Sequence, residues 1–97
     1  MTLKDLIIAV KEENLDKDQL ENYRDNLSNL YAEMQLEMAD LEKLEALFME
    51  ATDTSVARAK VLWKATSSGQ RLIVLKRYCL ATKELLNSLK SRLYSIY

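Results

Sequence analysis

Residues 17–51 read KDQLENYRDNLSNLYAEMQLEMADLEKLEALFMEA, a stretch without glycine or proline. With Leu20 as heptad position a, the a series is Leu20, Leu27, Met34, Leu41 and Phe48, and the d series is Tyr23, Leu30, Glu37, Leu44 and Ala51. Only Glu37 among these is not apolar, so the spacing predicts a coiled-coil-like seam rather than an ordinary amphipathic helix. Tyr31, Met38 and Leu47 widen the apolar face and suit a helix with more than one neighbour. A charge at Glu37 is costly unless a base meets it or the seam splays there.

Outward from this helix the same logic continues. Thr52-Asp53-Thr54-Ser55 breaks the pattern, and Asp53 or Thr54 is expected to cap a helix over about 55–66. A second heptad series follows over about 69–96, with Leu72, Cys79, Leu86 and Leu93 alternating with Leu75, Thr82, Leu89 and Ile96. Thr66-Ser67-Ser68-Gly69 either ends the third helix or is a weak spot inside one continuous C-terminal helix. Upstream, Thr2 with Asp5 forms a capping-box pattern, which predicts a helix over about 3–13 carrying Leu3, Leu6, Ile7 and Val10 on one face. Asp16 is the expected N-cap of the long helix, with Asp18 favourable in its first turn.

A helix over 17–51 is about 50 Å long at ~1.5 Å per residue. A compact chain of this size has a radius of gyration of only about 13 Å, so the helix cannot fit inside a globule. The expected fold is therefore all-α: a single domain over 1–97, an elongated hairpin of two long helices with a short N-terminal helix added. The seam is assigned to Leu20, Leu27, Leu30, Met34, Leu41 and Leu44 on one side and Leu72, Leu75, Leu86, Leu89 and Leu93 on the other. A thin hairpin buries one side of each helix while both apolar faces are broad, so a homo-oligomer is expected.

The chain has one glycine, one cysteine, no proline and no histidine. Cys79 has no neighbouring base and sits on the seam, as a packed thiol would. No phosphate-cradling glycine loop or nucleophile elbow occurs, and the carboxylates of Asp40, Glu42 and Glu45 read as a solvated helix face. No enzyme activity, cofactor or metal is expected. The longest apolar run is Leu72–Leu75 between Arg71 and Lys76, far short of the ~20 residues of a membrane span. Residues 1–10 carry Lys4 and Asp5 and lack the small-residue cleavage site of a secretory signal. A cytoplasmic protein is expected.

Charge divides the chain at Asp53. Residues 1–53 hold 14 acids against 5 bases, a balance of −9, and residues 54–97 hold 9 bases against Glu84, a balance of +8. In the basic half Lys76, Lys83 and Lys90 recur every seven residues beside the seam, about 10 Å apart. Arg71 and Arg92 flank its other side, Arg77 adds to the same helix, and Trp63, Tyr78 and Tyr94 lie among these bases. A cation stripe with exposed aromatics is the means by which proteins hold single-stranded nucleic acid. The competing reading is internal: a basic helix flanking the seam would face the acidic helix and fix the pairing of the hairpin.

The opening Leu3-Lys4-Asp5-Leu6, the Leu30-Tyr31 and Glu45-Ala46 pairs of the long helix, and Ser88-Leu89-Lys90-Ser91-Arg92 near the end resemble the recombination mediator family of T-even-like phages over most of the chain. The resemblance implies a non-enzymatic oligomer in a bacterial or phage-infected cytoplasm that binds single-stranded DNA and helps load a recombinase. By position, Lys76, Arg77, Lys83, Lys90 and Arg92 would touch the strand. The alternative is a helical structural or assembly module with no nucleic-acid role. A third class, an inhibitor whose acidic helix mimics DNA, draws on the −9 half alone.

Overall fold

The computed structural model describes residues 2–12 and 14–96, with the side chain of Ile96 outside the description. Four helices follow one another: α1 (Leu3–Val10), α2 (Lys17–Ala51), α3 (Val56–Ala65) and α4 (Ser67–Ile96). Helix α1 starts on the expected capping box. Thr2 Oγ1 accepts from the Asp5 amide at 3.2 Å and Asp5 Oδ2 accepts from the Thr2 amide at 3.2 Å. Those hydrogen bonds from Thr2 hold the Asp5 carboxyl below its ordinary value. The cap is therefore present above the usual carboxylate range and is lost as pH falls through it.

Helix α2 has the bounds the heptads predict. Asp16 is its N-cap and shares a reciprocal box with Gln19, at 2.8 Å and 3.0 Å. At the far end Thr52 is extended and its hydroxyl donates to the Phe48 carbonyl at 2.6 Å, closing the last turn. The cap of α3 is Ser55, rather than Asp53 or Thr54: its Oγ accepts from the Arg58 amide at 3.3 Å, and the helix begins at Val56.

The stretch over 66–69 separates two helices. Thr66 is extended (ψ 158°), and its hydroxyl both donates to the Trp63 carbonyl at 2.7 Å and accepts from the Gly69 amide at 3.0 Å. One side chain thus closes α3 and caps α4, so α4 starts at Ser67, two residues earlier than the pattern predicts. Gly69 is buried where the end of α3 crosses the start of α4. A Cβ there would overlap the Trp63 carbonyl oxygen.

The described residues span 57 × 20 × 18 Å with a radius of gyration of 17.6 Å. A cross-section of that size holds two helices of ~10 Å side by side, which makes the molecule a hairpin of α2 and α4. Two clusters fill the seam. At the open end Leu6, Val10, Leu20, Leu27, Leu86, Leu89 and Leu93 pack together, with Leu30 partly buried against them. At the turn end Leu41, Trp63, Leu72 and Leu75 pack with Met34, Met38 and Phe48. The Phe48 and Trp63 rings meet at 5.6 Å and 53°. Between the clusters lie Cys79 and Thr82, both buried. The Thr82 hydroxyl donates to the Tyr78 carbonyl at 2.7 Å, so its polar group is satisfied. Of the seam residues named from sequence only Leu44 stands half exposed, at 48%. No helix among the described residues is long and apolar enough to cross a membrane.

Glycine-to-alanine exchange inside a helix ordinarily stabilises by about 1 kcal/mol. Gly69→Ala should reverse that sign and cost about 1–3 kcal/mol, because the obstruction is backbone and cannot rotate away. Urea denaturation followed by circular dichroism measures it. Leu89→Ala, at a fully buried position, should cost about 2–5 kcal/mol in the same assay.

Candidate nucleic-acid interface on α4

The six bases nominated from sequence divide by what they touch. Arg71 reaches across the hairpin to Glu37, its Nε 3.2 Å from Oε1 and its second terminal nitrogen 3.0 Å from Oε2. The one charged seam position is thus met by a base, in a forked pair that stays about half exposed. Its hydrogen bonds to the Glu37 carboxylate raise the Arg71 guanidinium above its ordinary value. Exposed pairs of this type contribute ~0–1 kcal/mol, so its main effect is to place Glu37.

Arg92 is also committed. Its two terminal nitrogens donate to the carbonyls of Val10 at 2.6 Å and Glu12 at 2.9 Å. These are groups at and just beyond the end of α1, where a helix leaves carbonyls without intrahelical partners. Helix α1 ends at Val10 rather than near residue 13, and the carbonyls of Val10 and Glu12 are held by α4 through this fork. Residue 13 itself lies outside the described residues. Arg71 and Arg92 thus both have partners within the fold.

Lys76, Arg77, Lys83 and Lys90 are exposed. Among the described residues, Arg71 is the only base of the 54–97 half with an ion pair. The competing reading, in which the lysines pair with the acidic helix, is thus not realised in contacts. The reason is register. In an antiparallel pair each flank of the seam matches like positions, e beside e and g beside g. The lysines hold the e positions of α4, and the e positions of α2 are Lys17, Arg24, Tyr31, Met38 and Glu45. Most of α2's acids occupy b, c, f and g positions instead, so the lysines run alongside a flank that is nearly devoid of acid.

The same face of α4 carries more than lysine. Ile73, Lys76, Leu80, Lys83, Asn87, Lys90 and Tyr94 follow one another at three- and four-residue steps, which places them on one stripe. Leu80 is 61% and Tyr94 86% exposed. The three lysines thus share roughly 30 Å of helix with open Leu80 and Tyr94, polar Asn87 and partly buried Ile73. Arg77 lies about 100° round from Lys76 and is not part of the stripe. The acid of this half, Glu84, lines a hollow on the α1 side with Ile7, Lys11, Ala81 and Leu85. Tyr78 borders a neighbouring hollow with Thr2, Leu3 and Ile7, and Trp63 is buried against Phe48. Tyr94 is the only one of the three aromatics open on the lysine stripe.

Cys79 is packed as the heptad predicts. It is buried with Sγ 3.3 Å from Met38 Sδ, and burial pushes its thiol above the ordinary value. A thiol so placed carries less thiolate and is poorly reactive.

Arg92→Ala should cost about 1–3 kcal/mol, since it leaves two carbonyls without a charged donor. Hydrogen exchange should quicken first at the amides of residues 3–10, with those of α2 and α4 following only at global unfolding. Arg92→Lys should recover little, because an ammonium lacks the fork that reaches both carbonyls. Comparison with known proteins gives no match: no family model fits the chain, and no curated protein or solved structure is similar to it.

Proposed function

We propose that the chain is a non-enzymatic, oligomeric binder of single-stranded DNA that uses the Lys76–Tyr94 stripe of α4. The observation that carries this reading is the set of three lysines, exposed, at heptad spacing and without an ion pair among the described residues. Cations left unpaired by the fold attract phosphates, and their neutralisation releases condensed counterions. Leu80 and Tyr94, open between and beyond the lysines, supply apolar contact to unpaired bases, and Tyr94 a stacking surface. A duplex hides its base faces, so those two side chains favour a single strand. In a mediator of the phage type, a strand held in this way is delivered to a recombinase. The alternative, a structural or assembly module, draws support from apolar side chains left open on α2 and α3.

Fluorescence anisotropy with a labelled single-stranded oligonucleotide across a salt series tests the proposal. The single strand should bind more tightly than a matched duplex. Replacing Lys76, Lys83 and Lys90 by alanine should weaken binding and flatten the salt dependence by about 2 in the slope of log K against log salt, at ~0.7 per phosphate contact. Tyr94→Ala should cost about 1–3 kcal/mol of affinity. Arg71→Ala should leave binding nearly unchanged, its side chain being held by Glu37. Absence of binding at low salt, or an unaltered salt slope in the triple variant, overturns the proposal.

A further inference from the structure

We propose that two copies of this chain associate through the turn-end half of the hairpin, an exposed flanking stripe of α2 in each copy seating on α3 of the other. On α2, Glu33, Leu36, Asp40, Leu44 and Leu47 follow helical spacing along one flank of the seam, and all are exposed. Leu36 is 69% and Leu47 61% exposed. On α3, Ala57, Arg58, Val61 and Leu62 line an open apolar hollow with Ser55. Arg58, Lys60 and Lys64 give that helix three bases and no acid. The two surfaces are thus alike in being apolar and opposite in charge. Lys43, at the edge of the α2 stripe, is the one base beside its acids.

Charge decides the occupant. An acidic apolar stripe and a basic apolar hollow on one molecule can satisfy each other only between copies, because the intramolecular faces of α2 and α3 are already used around Leu41, Phe48 and Trp63. A twofold arrangement gives each copy both contacts at once and closes the assembly as a dimer. The chain exposes 6874 Å², against about 5,700 Å² for a compact monomer of its mass, as a body two helices thick must. Burial of Leu36, Leu44, Leu47, Val61 and Leu62 would supply an apolar centre, with Asp40 and Arg58 meeting at its rim.

This proposal is independent of DNA binding, and its test contains no nucleic acid. Sedimentation equilibrium of the full chain at micromolar concentration should give twice the chain mass of 11.2 kDa. Leu47→Glu should yield a monomer whose circular dichroism is unchanged, since that side chain is exposed within the hairpin. Asp40→Lys and Arg58→Glu should each weaken the dimer at least tenfold by setting like charges together. Mixing the Asp40→Lys and Arg58→Glu chains should restore it, because the heterodimer pairs lysine with glutamate at one contact and the native residues at the other. A native chain that sediments as a monomer overturns the proposal. So does a dimer indifferent to Leu47→Glu, or a mixture of the two charge variants that fails to reassociate.

Discussion

The constraint on which this structure depends is the leucine seam between α2 and α4. A body two helices thick can bury only one stripe of each helix, so the seam positions carry nearly all the apolar burial the hairpin has. Leu27, Leu75 and Leu89 are fully enclosed there, and α1 and α3 add Leu6 and Trp63 to the two ends of the same line. Everything outside the seam is solvated by default. The flanks and backs of the helices can therefore carry charge and exposed apolar groups without penalty to the fold.

Antiparallel pairing then sorts the charges. Because e meets e and g meets g, the opposition of an acidic and a basic helix need not become a ladder of ion pairs. Among the described residues the cross-hairpin ion pair is Arg71 with Glu37, and the lysine stripe is left unmatched there. The total charges of the two halves nearly cancel, but they do so at a distance and through water, where screening over ~10 Å weakens the attraction. Near neutrality of the chain thus coexists with a locally cationic surface on α4 and an acidic one on the outer side of α2.

Much of the architecture is legible in local residue patterns. Thr2 with Asp5 and Asp16 before the first heptad mark two helix starts because capping needs only a side chain and an amide three residues on. The a and d series places nearly every enclosed leucine. The misses have a common physical cause. Asp53, Thr54 and Ser55 are all competent caps, and the one used depends on where α3 must begin to lay Ala59 and Trp63 on the core. Thr66 was ambiguous because a hydroxyl that closes one helix and opens another resembles a weak spot within a single helix. Leu44 fits the heptad yet stays half exposed.

The candidate site was legible in composition and obscure in role. Arg71 and Arg92 look like their neighbours in sequence, and only the distance to Glu37 or to the end of α1 tells them apart from Lys76. Arg92 lies some eighty residues from the carbonyls it holds, beyond the reach of any periodicity. By itself the sequence determined that the chain is helical, that two long helices form a seam, and that charge is segregated along the chain, because these follow from residue type and spacing. Tertiary structure alone decided which bases the fold consumes and which it leaves open, because that depends on which flank of one helix lies beside which flank of the other.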